Sequence, residues 1–166
     1  MRVLLLAALI PLAGCPAPVE TVQVPDTPVG PGPVGPIEGT PAERSPDLDA
    51  AKARWQAAGL DAYAMTLRRS CFCPVPDYTG PFEVRVRNGA VEQVRLNGAA
   101  VDAERGMTVD ALFALVEDAY ERGAVEVAVE FDERLGYPTS VGIDYDLRLA
   151  DEEIGYTVSD LRSAER

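Results

Sequence analysis

Residues 16–45 limit what the rest of the chain can be. This stretch of 30 residues holds 8 prolines and 4 glycines, few large apolar side chains and no sustained hydrophobic period. Proline fixes φ and offers no backbone donor, so neither a helix nor a central strand can run through it. The segment cannot bury enough apolar surface to offset its chain entropy, and an extended, polyproline-like tether is expected. At ~3.1 Å per residue such a tether could reach on the order of 90 Å. A proline-rich ligand for a partner is the other reading, but no P-x-x-P run here has a flanking basic cluster. Folded structure is therefore sought in residues 46–166, enough for one domain with a real core.

That part begins with Ser45-Pro46-Asp47, which reads as a helix start: a cap, a proline at the first position, and an acid at the positive end. Leu48, Ala51, Trp55 and Ala58 then share one face, and Gly59 stops the helix. Trp55 is expected to anchor the core rather than to present a ligand platform. Tyr63, Met65 and Leu67 alternate with polar or small residues, as do Phe82, Val84 and Val86, so two half-buried strands follow. Asn88-Gly89 is the strongest hairpin signal, because a type I′ turn needs positive φ at both positions. It sets Val86 opposite Val91 and Arg85 opposite Glu92. Val94 and Leu96 then fall on the wrong parity, which calls for a bulge near Glu92-Gln93. Thr108 caps a second helix with Asp110 in its first turn and Val109, Leu112, Phe113, Val116 and Tyr120 as its buried stripe. Gly123 ends it. Val125, Val127, Val129 and Phe131 make the clearest strand, Gly136-Tyr137-Pro138 turns the chain, and strands around Val141–Tyr145 and Ile154–Val158 complete the set. The expected fold is α+β: an antiparallel sheet with two helices packed on one face, the order helix, three strands, helix, three strands hinting at a degenerate repeat.

Charge narrows the choice of partner. Formal net charge is −12, and there is no histidine. Residues 46–123 carry 12 acids against 9 bases and residues 124–166 carry 11 against 4. Nucleic acid is not an expected partner, since phosphate binding needs a basic face. The missing histidines remove histidine-based triads and His-containing zinc sites. No catalytic constellation is evident and no cofactor is expected.

Three groups remain as candidate sites. Cys71 and Cys73 flank Phe72, and side chains at i and i+2 of an extended chain project to the same side, at a separation that suits a disulfide after modest bending. A structural bridge, a redox-active pair favoured by neighbouring Arg68 and Arg69, and free or metal-bound thiols all stay open. The acidic residues Asp132, Glu133, Asp144, Asp146, Asp151, Glu152 and Glu153 read first as solvated surface. Calcium is the second reading, although the spacing is not that of an EF-hand, and a carboxylate pair for acid–base work is the third. Tyr137, with Tyr145 and Tyr156, either packs around its turn or offers aromatic contacts to a ligand.

The first residues bear on compartment. Arg2 is followed by an apolar run over residues 3–12, of signal-peptide length and too short to span a bilayer. Leu12-Ala13-Gly14-Cys15 resembles the lipobox of bacterial lipoproteins. That resemblance implies cleavage after residue 14, diacylglycerol on the Cys15 thiol, often a further acyl chain such as palmitate, and stable anchoring because two or three chains exceed what reversible binding needs. The implied layout is a signal peptide at 1–14, a lipidated, proline-rich tether at 15–45 and one domain at 46–166.

A longer pattern runs through Cys71-Phe72-Cys73, Gly80-Pro81-Phe82, Val84-Arg85-Val86-Arg87-Asn88-Gly89, Thr108-Val109-Asp110-Ala111-Leu112-Phe113, Gly136-Tyr137-Pro138, Ile143-Asp144 and Asp151-Glu152-Glu153. It is similar to a family of small secreted bacterial lipoproteins built around a domain of unknown function. The resemblance implies that the C-x-C and the acidic loop belong to the domain's design, and it implies no activity. The functional expectation is a lipid-anchored, non-enzymatic binding or structural protein of the cell envelope, facing the periplasm or exterior, attached to a membrane through its lipid and open to a protein partner. A thiol–disulfide or metal-handling protein using Cys71 and Cys73 is the alternative. Weak binding candidates are Asp144, Asp146, Asp151, Glu152 and Tyr137.

Overall fold

A computed structural model describes residues 40–73, 76–149 and 153–164. The leader, Cys15 and most of the proline-rich segment lie outside the described residues, as do Asp151 and Glu152. The chain runs α1 (Leu48–Ala58), β1 (Tyr63–Ser70), β2 (Phe82–Arg87), β3 (Ala90–Leu96), β4 (Ala99–Val101), α2 (Val109–Glu121), β5 (Glu126–Phe131), β6 (Pro138–Asp144) and β7 (Ile154–Ser163), with short 3-10 turns at Pro76–Tyr78 and Ala103–Arg105. All seven strands join one antiparallel sheet in the order β4-β3-β2-β1-β7-β6-β5.

This corrects the α+β expectation. The body of the protein is a seven-stranded sheet, and the helices are two short pieces of 11 and 13 residues, so the fold is β-rich. The helix-plus-three-strands count also fails, because four strands follow α1. The added strand, β4, comes from a second Asn-Gly: Asn97 and Gly98 have φ 52° and 80° and fold Ala99–Val101 back onto β3. Its three small or β-branched residues carry no readable period. The first Asn-Gly acts as expected, with Val86 opposite Val91. The bulge falls at Glu92, so Arg85 faces Gln93 rather than Glu92, and Glu92 bonds Arg87 at 2.9 Å instead.

The buried face of the sheet shows why these strands hold. Tyr63, Met65, Leu67, Phe82, Val84, Val86 and Val94 are all nearly inaccessible, and Val141, Ile143, Tyr156 and Val158 continue the layer. Against it lie Leu48, Ala51 and Trp55 of α1 and Leu112, Phe113, Val116 and Ala119 of α2. Trp55 meets Tyr63 edge-on at 5.3 Å and Tyr137 at 6.5 Å, and its Nε1 donates to Asp110 Oδ1. Gly136 (φ 81°) lets the turn before β6 press against α1, since a Cβ there would sit on the Ala51 carbonyl oxygen. The α1 start shifts by two residues: Ser45-Pro46-Asp47 forms a turn, and the helix proper begins at Leu48. Thr108 caps α2 as expected, its Oγ1 accepting from Ala111 N at 3.0 Å.

Residues 40–45, counted above with the tether, run along the end of α2. Ala42 N donates to Ala124 O at 2.7 Å and Ser45 N to the Tyr120 hydroxyl at 3.1 Å. No described helix is long and apolar enough to cross a membrane.

The Tyr63 hydroxyl ties sheet to helix by accepting from Val109 N, a donor at the first turn of α2 that has no partner within the helix. Burial pushes the Tyr63 phenol up to about 12. A raised acid is stabilising in its neutral form, so its contribution is complete below the unfolded value near 10 and is lost as pH rises through about 12. Tyr63→Phe should destabilise the domain at neutral pH by about 1–3 kcal/mol, because the buried Val109 N–H loses its acceptor. The same variant should flatten the fall in denaturant midpoint between pH 10 and 12, leaving the slope owed to Tyr137, whose phenol burial also raises. An unchanged alkaline slope in the variant would overturn this assignment.

Candidate functional site

The strands end together at one edge of the molecule, and the sequence candidates divide according to whether they reach it. Ser70 at the end of β1, Asp144 at the end of β6, Glu126 at the start of β5 and Ile154 at the start of β7 all lie there. β1 runs straight into Cys71-Phe72-Cys73. The two cysteines lie at disulfide distance, with Cα atoms 5.2 Å apart. Because both sulfurs point to one side of the extended chain, the residue between them must point to the other. Phe72 is consequently 80% exposed, the most exposed large apolar side chain described.

Phe72 stands over a trough of about 500 Å³. Its floor is nearly free of side chains: Ser70 of β1 pairs with Gly155 of β7, and Gly155 pairs with Gly142 of β6. The glycine at 155 is in a tight place, since a Cβ would come within 3.1 Å of Ser70 Cβ and that neighbour would have to give by a few tenths of an ångström. At Gly142 a Cβ would meet Ala128 Cβ at 3.8 Å and the Ala128 carbonyl oxygen at 4.0 Å, both ordinary contacts, so nothing in the packing demands glycine there. Glu126 and Asp144, opposite each other across β5 and β6, close one end, and Ile154 lies beside Phe72. A second hollow of about 340 Å³ lies under the same loop and is lined by Arg69, Phe72, Tyr78, Ile154 and Tyr156. Such a surface has a flat floor, one acidic wall and apolar walls. It suits recognition of a ring or an extended chain, and Ser70 with the carboxylates of Glu126, Asp144 and Glu153 supplies its polar lining.

Three of the acidic candidates, Asp132, Asp144 and Asp146, are employed locally. Asp144 is buried, and its Oδ1 accepts from Asp146 N at 2.8 Å, holding the turn after β6. Asp146 is bracketed by Arg148, with Nε and Nη2 each 3.0 Å from a carboxylate oxygen, and those hydrogen bonds hold its pKa below the usual value. Asp132 Oδ1 accepts from Leu135 N and Arg134 N, fixing the turn before Gly136. Among the described residues no group of three or more carboxylates, cysteines or histidines is placed to hold a metal ion. Tyr137 lies in the core against Trp55, Tyr145 sits under the Arg122 guanidinium at 4.7 Å, and of the three tyrosines only Tyr156 reaches the hollow.

The sequence reading missed Phe72, Tyr78 and the glycine pair as lining residues, and named Arg69 only as a neighbour of the cysteines. Phe72 was visible as the residue between two cysteines, and the alternation of side chains could have shown that a bridge turns it outward. Gly142 and Gly155 were visible as lone glycines inside strand patterns, a sign of close approach or a bare floor.

The architecture and this end of it define a β-rich domain of one antiparallel sheet, partly covered by two short helices, with a cysteine-pinned loop overhanging a trough. The chain belongs to a family of unknown function, DUF6174, whose model matches residues 47–163. No curated protein and no solved structure matches it.

Cys71→Ser combined with Cys73→Ser should leave the domain folded, because no core side chain depends on the loop. Closing so small a ring is worth about 1–2 kcal/mol on chain-entropy grounds, so a loss of roughly 5 °C in melting temperature is expected. Unfolding of the double variant at ordinary growth temperature would show that the pair holds more than its own loop.

Proposed function

We propose that the chain is a lipid-anchored, extracytoplasmic binding domain without catalysis of its own, held to a membrane through Cys15 and contacting an envelope partner at the Cys71–Cys73 end of the sheet. The observation that carries the reading is Phe72, held 80% exposed beside a trough whose floor is nearly free of side chains. Exposing a phenylalanine is unfavourable by the apolar area left in water, so a covalently pinned one marks a contact surface. Anchoring and location rest on the lipobox-like Leu12-Ala13-Gly14-Cys15, and the net charge of −12 argues against nucleic acid as the partner.

A second reading is supported by the position of the cysteine pair, which lies in a loop rather than in the core and is only partly covered. There a partner's thiolate could attack one sulfur and release the other as a thiolate, with a second partner thiol completing a two-electron exchange. Alkylation of the native protein before and after mild reductant separates the two: binding predicts labelling only under strong reductant.

The main test is photo-crosslinking in the producing cells. A photoreactive phenylalanine replacing Phe72 should give a discrete adduct that the same replacement at Arg87, on the hairpin at the far end of the strands, does not. Gly142→Val, which fills the trough with a residue that strands favour, should abolish the adduct while leaving the melting temperature within a few degrees. An adduct indifferent to Gly142→Val, or none at position 72, would sink the reading. Cys15→Ala should move the protein from the membrane fraction to the soluble one, and retention in the membrane would contradict lipid anchoring.

A further inference from the structure

β1 places Tyr63, Met65 and Leu67 in the core, and Arg69 is next on that face, where the core gives out. Its guanidinium carbon lies 4.4 Å from the Tyr78 ring centre and 5.4 Å from that of Tyr156. Its backbone N donates to Thr79 O, which folds the segment carrying Tyr78 back over it. Among the described residues, Arg69 Nε is the buried side-chain nitrogen or oxygen without a hydrogen-bond partner, and no described carboxylate pairs with the group. Arg44, Arg87, Arg122 and Arg148 each have a carboxylate within 4 Å, and several exposed arginines have none, but among the described residues only Arg69 combines the lack of one with a buried, unpaired nitrogen. A guanidinium fixed by two rings and left without an anion is pre-oriented for one, because aromatic contacts satisfy its faces and leave its N–H edge unused.

That group lines the hollow beneath the loop, beside Phe72, Ile154 and the two cysteines. The neighbouring hollow carries Asp102 and Glu104 against the one further base Arg105, and Glu153 lines the first. In a chain of net charge −12 these acids weigh against a dianion such as a phosphomonoester, and less against a single carboxylate. A planar carboxylate also matches two parallel guanidinium N–H groups. The apolar walls call for an apolar group attached to it.

We infer that Arg69 anchors a carboxylate borne on an aromatic or aliphatic group, seated in the hollow between Tyr78, Phe72 and Ile154. The carboxylate belongs to a free organic acid or to the end of a peptide; the recognition chemistry is the same. This deepens the binding reading and rests on it in taking Phe72 as ligand-facing.

The full chain, purified in a non-ionic detergent, is titrated calorimetrically with 4-phenylbutyrate, its neutral amide, acetate, and a tripeptide ending in a free phenylalanine carboxylate. The acid should bind at least about tenfold more tightly than the amide or acetate, and Arg69→Gln should lower its affinity by about tenfold or more. Arg69→Lys, which keeps charge but loses the fork, should fall between. A tripeptide tighter than phenylbutyrate assigns the natural ligand to a chain terminus, and a weaker one assigns it to a free acid. Equal binding of acid and amide, no heat from the acid at ~10 mM, or full affinity in Arg69→Gln overturns the inference. Should Arg69→Gln fail to fold, the comparison of acid with amide on the unaltered chain still decides. Equal binding of acid and amide removes this inference alone, whereas a missing cross-link from position 72 removes the contact surface proposed above.

Discussion

β1 and β7 are the first and last strands of the chain, and they lie side by side in the middle of the sheet. From that seam β2, β3 and β4 extend one way and β6 and β5 the other, each strand following or preceding its sequence neighbour. Every other pairing is a local hairpin or meander; this one joins residues 85 to 100 apart in the chain, from Ser70 with Gly155 to Tyr63 with Ser163. Without it, two small sheets would each expose a long unpaired edge, a state prone to association. With it, the free edges fall on the three-residue β4 and on β5, whose Glu126 and Glu130 alternate with apolar residues. The closure entropy of so long a loop must be overcome before the seam can form, so the tertiary contacts around it carry the stability of the whole.

Those contacts cluster where the helices meet the seam. Tyr63, at the start of β1, receives Trp55 of α1 on its ring and the first amide of α2 on its hydroxyl. One residue therefore sets the positions of both helices on the sheet. Gly136 holds the other side by letting the turn before β6 lie against the backbone of α1. The two halves of the chain are thus interlocked: α1 from the first half packs on a turn of the second, and α2 from the second half is fixed by a strand of the first. This interlocking, more than any resemblance between halves, explains why a helix precedes each meander.

Much of this was legible because it is local. Asn88-Gly89, the bulge forced by the parity of Val94, the Thr108 cap and the alternation of β1, β2 and β5 all depend on residues within a few positions of one another. The misjudged balance between sheet and helix had a different origin. β4 is three residues long, too short for periodicity, and only its preceding Asn97-Gly98 announced it. The candidate site was less legible still. Its floor is Ser70, Gly155 and Gly142, brought together by two pairings between distant strands, and no run of sequence contains more than one of them. Arg69 was read through its neighbour Cys71 as a thiolate stabiliser, whereas the fold directs it onto Tyr78 and Tyr156. The acids Asp144, Asp146 and Asp132, read first as solvated surface with calcium as the second reading, cap turns, a role that spacing alone did not announce.

The direction from which the chain approaches the sheet bears on how the site could be used. Ala42 bonds to Ala124, two residues before Glu126, and Glu126 helps to form the trough beneath Phe72. The segment leading in from the proline-rich stretch therefore joins the domain at the same end as the Cys71–Cys73 loop, not at the Asn88-Gly89 end. Anything that enters the trough therefore meets the domain at the end where residues 40–45 join it, with the hairpin of β2 and β3 at the opposite end of the strands.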